Sequence, residues 1–368
     1  MSKRNYALIA QTVDHIVPAP KLSYHPPQPK RYHPKIGLIG CGGITASHLS
    51  AYRAAGWEVV ALCDKVEAAA RKRRNAFYPA AEIYRDYQRL LKDDNVDVVD
   101  IALHPEPRVA VIEAALNAGK HVLSQKPFVL DLDVGGRLVA LAATRGCKLA
   151  VNQNGRWAPY VSYAAQAIRA GLLGEVQTVS INLNWDHTWI RGTPFEKIHH
   201  VVLYDFAIHW FDMAALFFTG RKALNVFSAN AFASGQQLRP PMIGGAVVQF
   251  ENGMATLNFD AHSHFGPKES IYVTGSAGTI SAFGPICAAH DVTLHAKRGR
   301  AKPKLEGAWF NDGFRGAMGE LLCAIEEDRE PSNSARQNLG SLALCFAAMK
   351  SADTEKVQVP GKIRRRPR

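Results

Sequence analysis

Long apolar stretches are missing from this sequence. No hydrophobic run approaches the roughly 20 residues that a membrane-crossing helix needs, so no membrane partner is expected. Cysteine is sparse, six residues in 368. No two of Cys41, Cys63, Cys147, Cys287, Cys323 and Cys345 stand at a metal-binding or redox spacing. They read as reduced core residues, which points to a cytoplasmic protein. A secretory leader is not legible either. After Lys3 and Arg4 only Ala7-Leu8-Ile9-Ala10 is apolar before Gln11 and Asp14. Acidic residues are outnumbered, 32 against 44 Lys and Arg, for a formal charge of +12. Much of that excess sits in short clusters: Arg71-Lys72-Arg73-Arg74, the loop holding Lys297, Arg298, Arg300, Lys302 and Lys304, and a frayed tail with Arg364, Arg365, Arg366 and Arg368. None is interleaved with aromatic rings, so these read as solvated faces and nucleic acid is not an expected partner.

What is present is an ordinary globular composition, 47% hydrophobic and 21% charged, long enough for two domains. Residues 1–34 hold Pro18, Pro20, Pro26, Pro27, Pro29 and Pro34 and form a proline-rich arm, disordered or packed on a neighbouring subunit. Residues 35–152 alternate strand and helix as a doubly wound parallel sheet does. Strands are expected over 35–39, 58–63, 97–102, 121–124 and 147–151. Helices follow to residue 55, over 106–118 and from about residue 131 to residue 145. Residues 153–312 change character: a helix over 160–170, then longer strand-like runs, with Asn252-Gly253 as a hairpin turn. This predicts an α+β domain on an open, mostly antiparallel sheet. Residues 313–368 add helices over 313–327 and 335–352 and the basic tail.

Two stretches carry chemistry. Gly40-Cys41-Gly42-Gly43-Ile44-Thr45 lies between a strand and a helix. Gly40 permits the tight turn, Gly42 lets the backbone approach a pyrophosphate, and the helix N-terminus offers N–H groups to the anion. Thr45, larger than the expected glycine, implies slightly looser helix–strand packing. Asp64, at the end of the next strand, can accept the ribose hydroxyls, which favours NAD over NADP. The second stretch is the apolar helix 203–218, interrupted by Asp205, His209 and Asp212. Offsets of four and seven put these three on one helical face. A buried carboxylate and imidazole are costly unless paired, so this face is expected to line a polar cavity in which Asp205 and His209 bond each other or a ligand.

Three stretches together resemble the glucose–fructose oxidoreductase / inositol dehydrogenase / MocA family. They are Gly40 to Ile44 with His48, the run Ala118-Gly119-Lys120-His121-Val122-Leu123-Ser124-Gln125-Lys126-Pro127, and Asp205-x-x-x-His209-x-x-Asp212. The resemblance implies an NAD(P)-dependent oxidoreductase acting on a sugar, glycoside or cyclitol, with Lys126, Asp205 and His209 as the catalytic group. His209 is then the expected general base, oriented by Asp205, with Lys126 polarising the substrate oxygen; the roles of Lys126 and His209 are exchangeable. Gly40, Gly42, Gly43, Ile44, Thr45, Asp64, Leu103, His104, Gln125 and Lys126 are the expected cofactor contacts. Gln125 stands where the family has an acid, and Leu103-His104-Pro105-Glu106-Pro107-Arg108 stands where it has T-P-N-x-x-H. Arg156 and Trp157, in a segment similar to the family's cleft wall, join His187, Asp205 and His209 as expected substrate contacts. His187 sits in an aromatic loop with Trp185, Trp189 and Arg191, whose ring faces suit a sugar. His199-His200 and His262-x-His264 have no closed ligand set, and no metal is expected. Oxidation of a glucose unit at C3, an NAD-dependent glycosidase working by oxidation and elimination, and a non-enzymatic NAD-binding regulator are the readings to separate. The arm and the open sheet suggest a homo-oligomer.

Overall fold

The structure is a computed structural model that describes residues 15–368. Its first half is a six-stranded parallel sheet in the order β3-β2-β1-β4-β5-β6. The strands are β1 (Lys35–Ile39), β2 (Glu58–Cys63), β3 (Glu82–Tyr84), β4 (Val98–Ile101), β5 (His121–Gln125) and β6 (Leu149–Asn152). Helices α1 (Thr45–Ala54), α2 (Glu67–Phe77), α3 (Tyr87–Leu91), α4 (Pro105–Asn117) and α5 (Leu132–Thr144) connect them. Strand β4 is buried on both faces, as a central parallel strand must be. Helix starts follow local chemistry. Pro105 occupies the first turn of α4, and the Asp131 side chain accepts from the N–H groups of Asp133 and Val134. The strand order reverses between β1 and β4, opening a crevice at the strands' C-terminal ends.

Helix α6 (Pro159–Arg169) leads to an eight-stranded sheet in the order β14-β13-β12-β11-β7-β10-β9-β8. Its members are β7 (Val176–Asn184), β8 (Ala223–Ala231), β9 (Ile243–Phe250), β10 (Gly253–Asp260), β11 (Lys268–Gly275), β12 (Gly278–Gly284), β13 (Asp291–Ala296) and β14 (Gly299–Ala301). All pairings are antiparallel except β7 with β10. Strand β7 shows the period of two: Val179, Ile181 and Leu183 point into the core, Ser180 and Asn182 away from it. The β9–β10 turn places Asn252 at φ +55° beside Gly253. Helix α7 (Ile208–Phe217) packs on the inner face. The last two helices bind the halves together: α8 (Trp309–Glu326) lies on α1, and α9 (Ala335–Thr354) lies on α5, α7 and β8. Among the described residues no helix is long and apolar enough to cross a membrane.

The two chain ends differ from the sequence reading. Residues 15–34 are ordered against their own chain. Val17 N–H donates to the Arg300 carbonyl at 3.0 Å, and the Glu326 carboxylate accepts from the N–H groups of Lys30, Arg31 and Tyr32. Residues 1–14 lie outside the described residues. The basic tail is not frayed but forms a strap. Gln358 pairs with Val226 on β8; further on, Leu132 N–H donates to Arg364 and Arg366 N–H donates to Leu130. Arg364 and Arg365 meet Asp133 and Asp131. Side-chain acceptors near a helix start order a segment that composition alone marks as solvated.

A buried ion pair seals the join between the halves. Arg156 donates to both oxygens of Asp212, at 2.6 and 2.8 Å, and to the Ser332 carbonyl; Ser341 Oγ donates to Asp212 at 2.7 Å. Both charged residues are at most 7% exposed. Removing one charge strands the other in a dry site. Asp212→Asn is expected to destabilise the protein by about 3–5 kcal/mol, read as a lower urea midpoint at unchanged slope; an unchanged midpoint would contradict this role.

Candidate active site

The crevice between β1 and β4 is lined as a dinucleotide requires. Gly40 has φ +95°, and a Cβ there would stand 2.7 Å from the Ala102 carbonyl oxygen, so only glycine fits. A Cβ on Gly42 or Gly43 would meet nothing within 4 Å: the turn faces open space where a diphosphate can sit. Ile44 is partly exposed over the same space. Asp64 accepts from Cys41 N–H and Val66 N–H, each at 2.8 Å and one on each oxygen. Each oxygen keeps a lone pair for a ribose hydroxyl, so the residues present fit the group. Thr45 does not loosen the packing. It is fully buried, and its hydroxyl donates to the Gly42 carbonyl at 2.7 Å. Arg73, read from sequence as one of a solvated cluster, turns back onto the loop and donates to the Gly42 and Gly43 carbonyls at 2.7 and 3.1 Å. Nothing in a run of four basic residues marks which one does this.

Lys126 follows β5 directly, at a cis bond to Pro127. Two buried networks hold the main chain around it. In the first, Arg108 is 1% exposed and reaches no carboxylate. Its guanidinium donates to the carbonyls of Leu103, Gln125 and Pro127. Burial lowers its pKa to about 10, a drop that nearby Tyr204 and Asp205 oppose. In the second, His48 Nδ1 lies 2.7 Å from Asp100, and His48 Nε2 lies 3.2 Å from Gln125 Nε2. Gln125 Oε1 in turn accepts the Lys126 N–H at 2.7 Å. An amide in place of an acid here can meet the His48 ring with its nitrogen while its oxygen accepts from the lysine N–H, so Gln125 serves as a spacer under the lysine.

Asp205 lies on a π-helical turn, Val202–Phe206, ahead of α7. Ala207 N–H bonds the Val202 carbonyl five residues back, at 2.9 Å. The wider turn takes Asp205 off the face that regular α-spacing predicts. The expected Asp205–His209 couple is therefore not formed. Asp205 meets Lys126 instead: Lys126 Nζ donates to the Asp205 backbone carbonyl at 2.8 Å and to its carboxylate at 3.3 Å. His209 Nδ1 is buried with no partner among the described residues, and the ring stands perpendicular to Trp309, 5.7 Å away. Burial, then the Lys126 charge, pushes the pKa of His209 well below the usual imidazole value. His187 joins the same pocket. Its Nδ1 accepts from Trp185 Nε1 at 2.5 Å, so its proton is on Nε2, which has no partner. Burial and Lys126 lower its pKa to about 3.

Two expected substrate contacts are elsewhere. Arg156 is committed to Asp212. Trp157 is packed against α8, where a Cβ on Gly316 would stand 2.1 Å from its ring. The wall is instead the loop after β7: His187 lies 3.6 Å from Phe206 and 4.9 Å from Trp189, and Phe195 bridges Trp189 to His104 at 5.6 and 6.1 Å between ring centres. His104 and Leu103 thus sit where the two halves approach.

Comparison with known proteins agrees with this architecture. Residues 34–153 match a family model described as "Oxidoreductase family, NAD-binding Rossmann fold", and residues 161–281 match one described as "GFO/IDH/MocA C-terminal domain". A D-apiose dehydrogenase of Paraburkholderia graminis is 27% identical over 340 residues, covering 86% of this chain and 87% of the relative. An inositol 2-dehydrogenase of Rhizobium meliloti is 26% identical over 342 residues, covering 88% and 98%. Among solved structures, an Agrobacterium radiobacter oxidoreductase in complex with NAD+, L-tartaric acid and magnesium superposes with a TM-score of 0.81 at 19% identity, covering 90% and 99%. A Lactobacillus casei scyllo-inositol dehydrogenase with bound NAD(H) and scyllo-inositol gives 0.76 at 20% identity, covering 90% and 100%. These superpositions speak to the fold.

Arg108 was not singled out from sequence, and its position after Pro105 and Pro107 gives no hint of burial. Arg108→Met leaves three carbonyls without donors and frees the chain on either side of Lys126. Turnover is expected to fall about 100-fold with the circular dichroism spectrum unchanged; wild-type turnover in that variant would deny the clamp its role.

Proposed function

The chain belongs to the GFO/IDH/MocA oxidoreductase family and is an NAD(P)-dependent oxidoreductase acting on CH–OH; from that premise we propose that it oxidises a secondary alcohol of a sugar, glycoside or cyclitol, with NAD as the acceptor. The observation that carries this reading is the meeting of one ammonium and two neutral imidazoles at the carboxyl edge of the nucleotide-binding sheet. The dinucleotide, when bound, supplies a hydride acceptor; removing the hydroxyl proton is left to the protein.

Lys126 has three N–H groups, two engaged by Asp205. The third points the positive charge at the substrate oxygen and lowers the barrier to forming an alkoxide-like centre. His209, held uncharged by its burial and by the Lys126 charge, is the proton acceptor. His187, neutral and packed between Phe206 and Trp189, completes the wall beside Lys126. The Trp189 and Phe195 rings cover the apolar C–H face of the ring. The outward face of the eight-stranded sheet carries exposed Phe227, Val247, Tyr272 and Phe283, which supports self-association of chains. Six free, mostly buried cysteines support a reducing, cytoplasmic setting.

Incubating the protein with NAD+ and a panel of sugars, glucosides and inositols is expected to give reduced-nicotinamide absorbance with one substrate group. Aglycone release without net absorbance would favour the glycosidase reading. Lys126→Met is expected to lose about 1,000-fold or more in kcat, with NADH affinity by fluorescence within a few-fold. Full turnover in this variant would refute the lysine's role.

The acid side of the pH profile follows from His209. Its neutral form accepts the proton, and burial beside Lys126 favours that form, so it persists well below pH 6.5. kcat/KM is expected to stay level from about pH 7.5 to about pH 6, where an ordinary imidazole base would lose about fourfold. A limb centred near 6.5 would remove His209 from this role.

A further inference from the structure

Away from the cleft, two consecutive histidines converge on one carboxylate oxygen. His199 Nε2 and His200 Nε2 each lie 2.8 Å from Asp353 Oδ1. Neighbouring residues ordinarily project apart; here they point together because His200 adopts φ +49°, a conformation uncommon outside glycine. The rings stand 3.8 Å apart between centres. The carboxylate comes from the end of α9, more than 150 residues further along the chain, so three donors from two distant segments meet at one point.

We propose that His199, His200 and Asp353 bind a late first-row divalent cation, Zn2+ foremost, beside the helix that carries Asp205 and His209. All three donor atoms lie within 4.8 Å of one another. Metal–ligand bonds of about 2.0–2.2 Å hold adjacent donors about 3 Å apart, close to the 2.8 Å between Asp353 and each imidazole. Two imidazoles with one carboxylate suit zinc, cobalt or nickel, and disfavour calcium and magnesium, which take oxygen ligands. An outer partner is in place: the Asn230 side chain on β8 lies 2.8 Å from His200 Nδ1. A side-chain amide can present oxygen or nitrogen at such a position. With oxygen presented, His200 carries its proton on Nδ1 and turns the Nε2 lone pair to the ion. His199 and Asp353, with side chains 38% and 25% exposed, leave access for the ion and for water to complete its shell.

The site is a brace and not a reactant. The His200 carbonyl accepts from Tyr204 N–H at 3.0 Å, next to Asp205. An ion held here fixes the start of the π-helical turn to α9.

The test uses the full chain without a histidine tag, stripped of metal. Zn2+ is followed by calorimetry and Co2+ by its visible absorption. One ion per chain is expected, with Kd about 10 μM or tighter, and saturating Zn2+ is expected to raise Tm by about 3 °C. His199→Ala, at a partly exposed position, and His200→Ala should each abolish this binding; His264→Ala and His209→Ala should keep it. Absence of stoichiometric binding in the wild type overturns the proposal. So does binding that survives His199→Ala, or that disappears with His209→Ala or His264→Ala instead; if His200→Ala does not fold, His199→Ala decides alone.

Discussion

The contact between Lys126 and Asp205 is the constraint around which this molecule is arranged. The ammonium stands at the end of a parallel strand, and the carboxylate arrives from a helix on another sheet. An isolated charge at such depth costs several kcal/mol, so each half supplies what makes the other tolerable. The surrounding architecture keeps them aligned. Arg108 gathers the carbonyls on either side of the lysine, and the Asp100–His48–Gln125 chain holds its N–H from beneath. On the far side, the π-helical turn presents both a side chain and a backbone carbonyl of Asp205 to one amine.

The same positive charge sets the state of its neighbours. His187 and His209 both feel Lys126 and both remain uncharged. Helix α7 divides its polar groups accordingly. Trp210 Nε1 turns to the buried Glu269, at 2.8 Å, and Asp212 turns to Arg156. His209 alone is left facing the pocket without an acid to charge it. A helix rich in apolar residues thus serves three separate environments within four positions.

Much of the fold is legible in the sequence because burial writes a period into it. The strands of the first sheet are continuous apolar runs, and those of the second alternate, as Val179, Ile181 and Leu183 do between polar residues. Short strands escape that reading: β3 and β14 have three residues each, too few for a period. The glycine turn and the lysine before proline are local signals and could be read as such. The partners of those residues could not. A π-helical turn has no sequence period of its own, so regular helical spacing pairs Asp205 with the His209 imidazole, whereas the wider turn delivers it to Lys126. Arg156 and Trp157 follow β6 as expected, but Arg156 turns to Asp212 on α7 and Trp157 to α8, which lies more than 150 residues further along the chain. Arg73, Arg108 and the tail arginines look alike in composition; only the carbonyls and carboxylates that they reach tell them apart.

The strap formed by the last residues bears on how the pocket opens. It runs from β8 in one half to the residues just before α5 in the other, and the Arg156–Asp212 pair lies between the halves as well. Laced at two points, the lobes have little freedom to swing apart like a clamshell. Access to the cleft is then bounded by the aromatic loop after β7, where Trp189 is 57% exposed. The strap and the ion pair make the floor beneath that loop a fixed template for whatever enters.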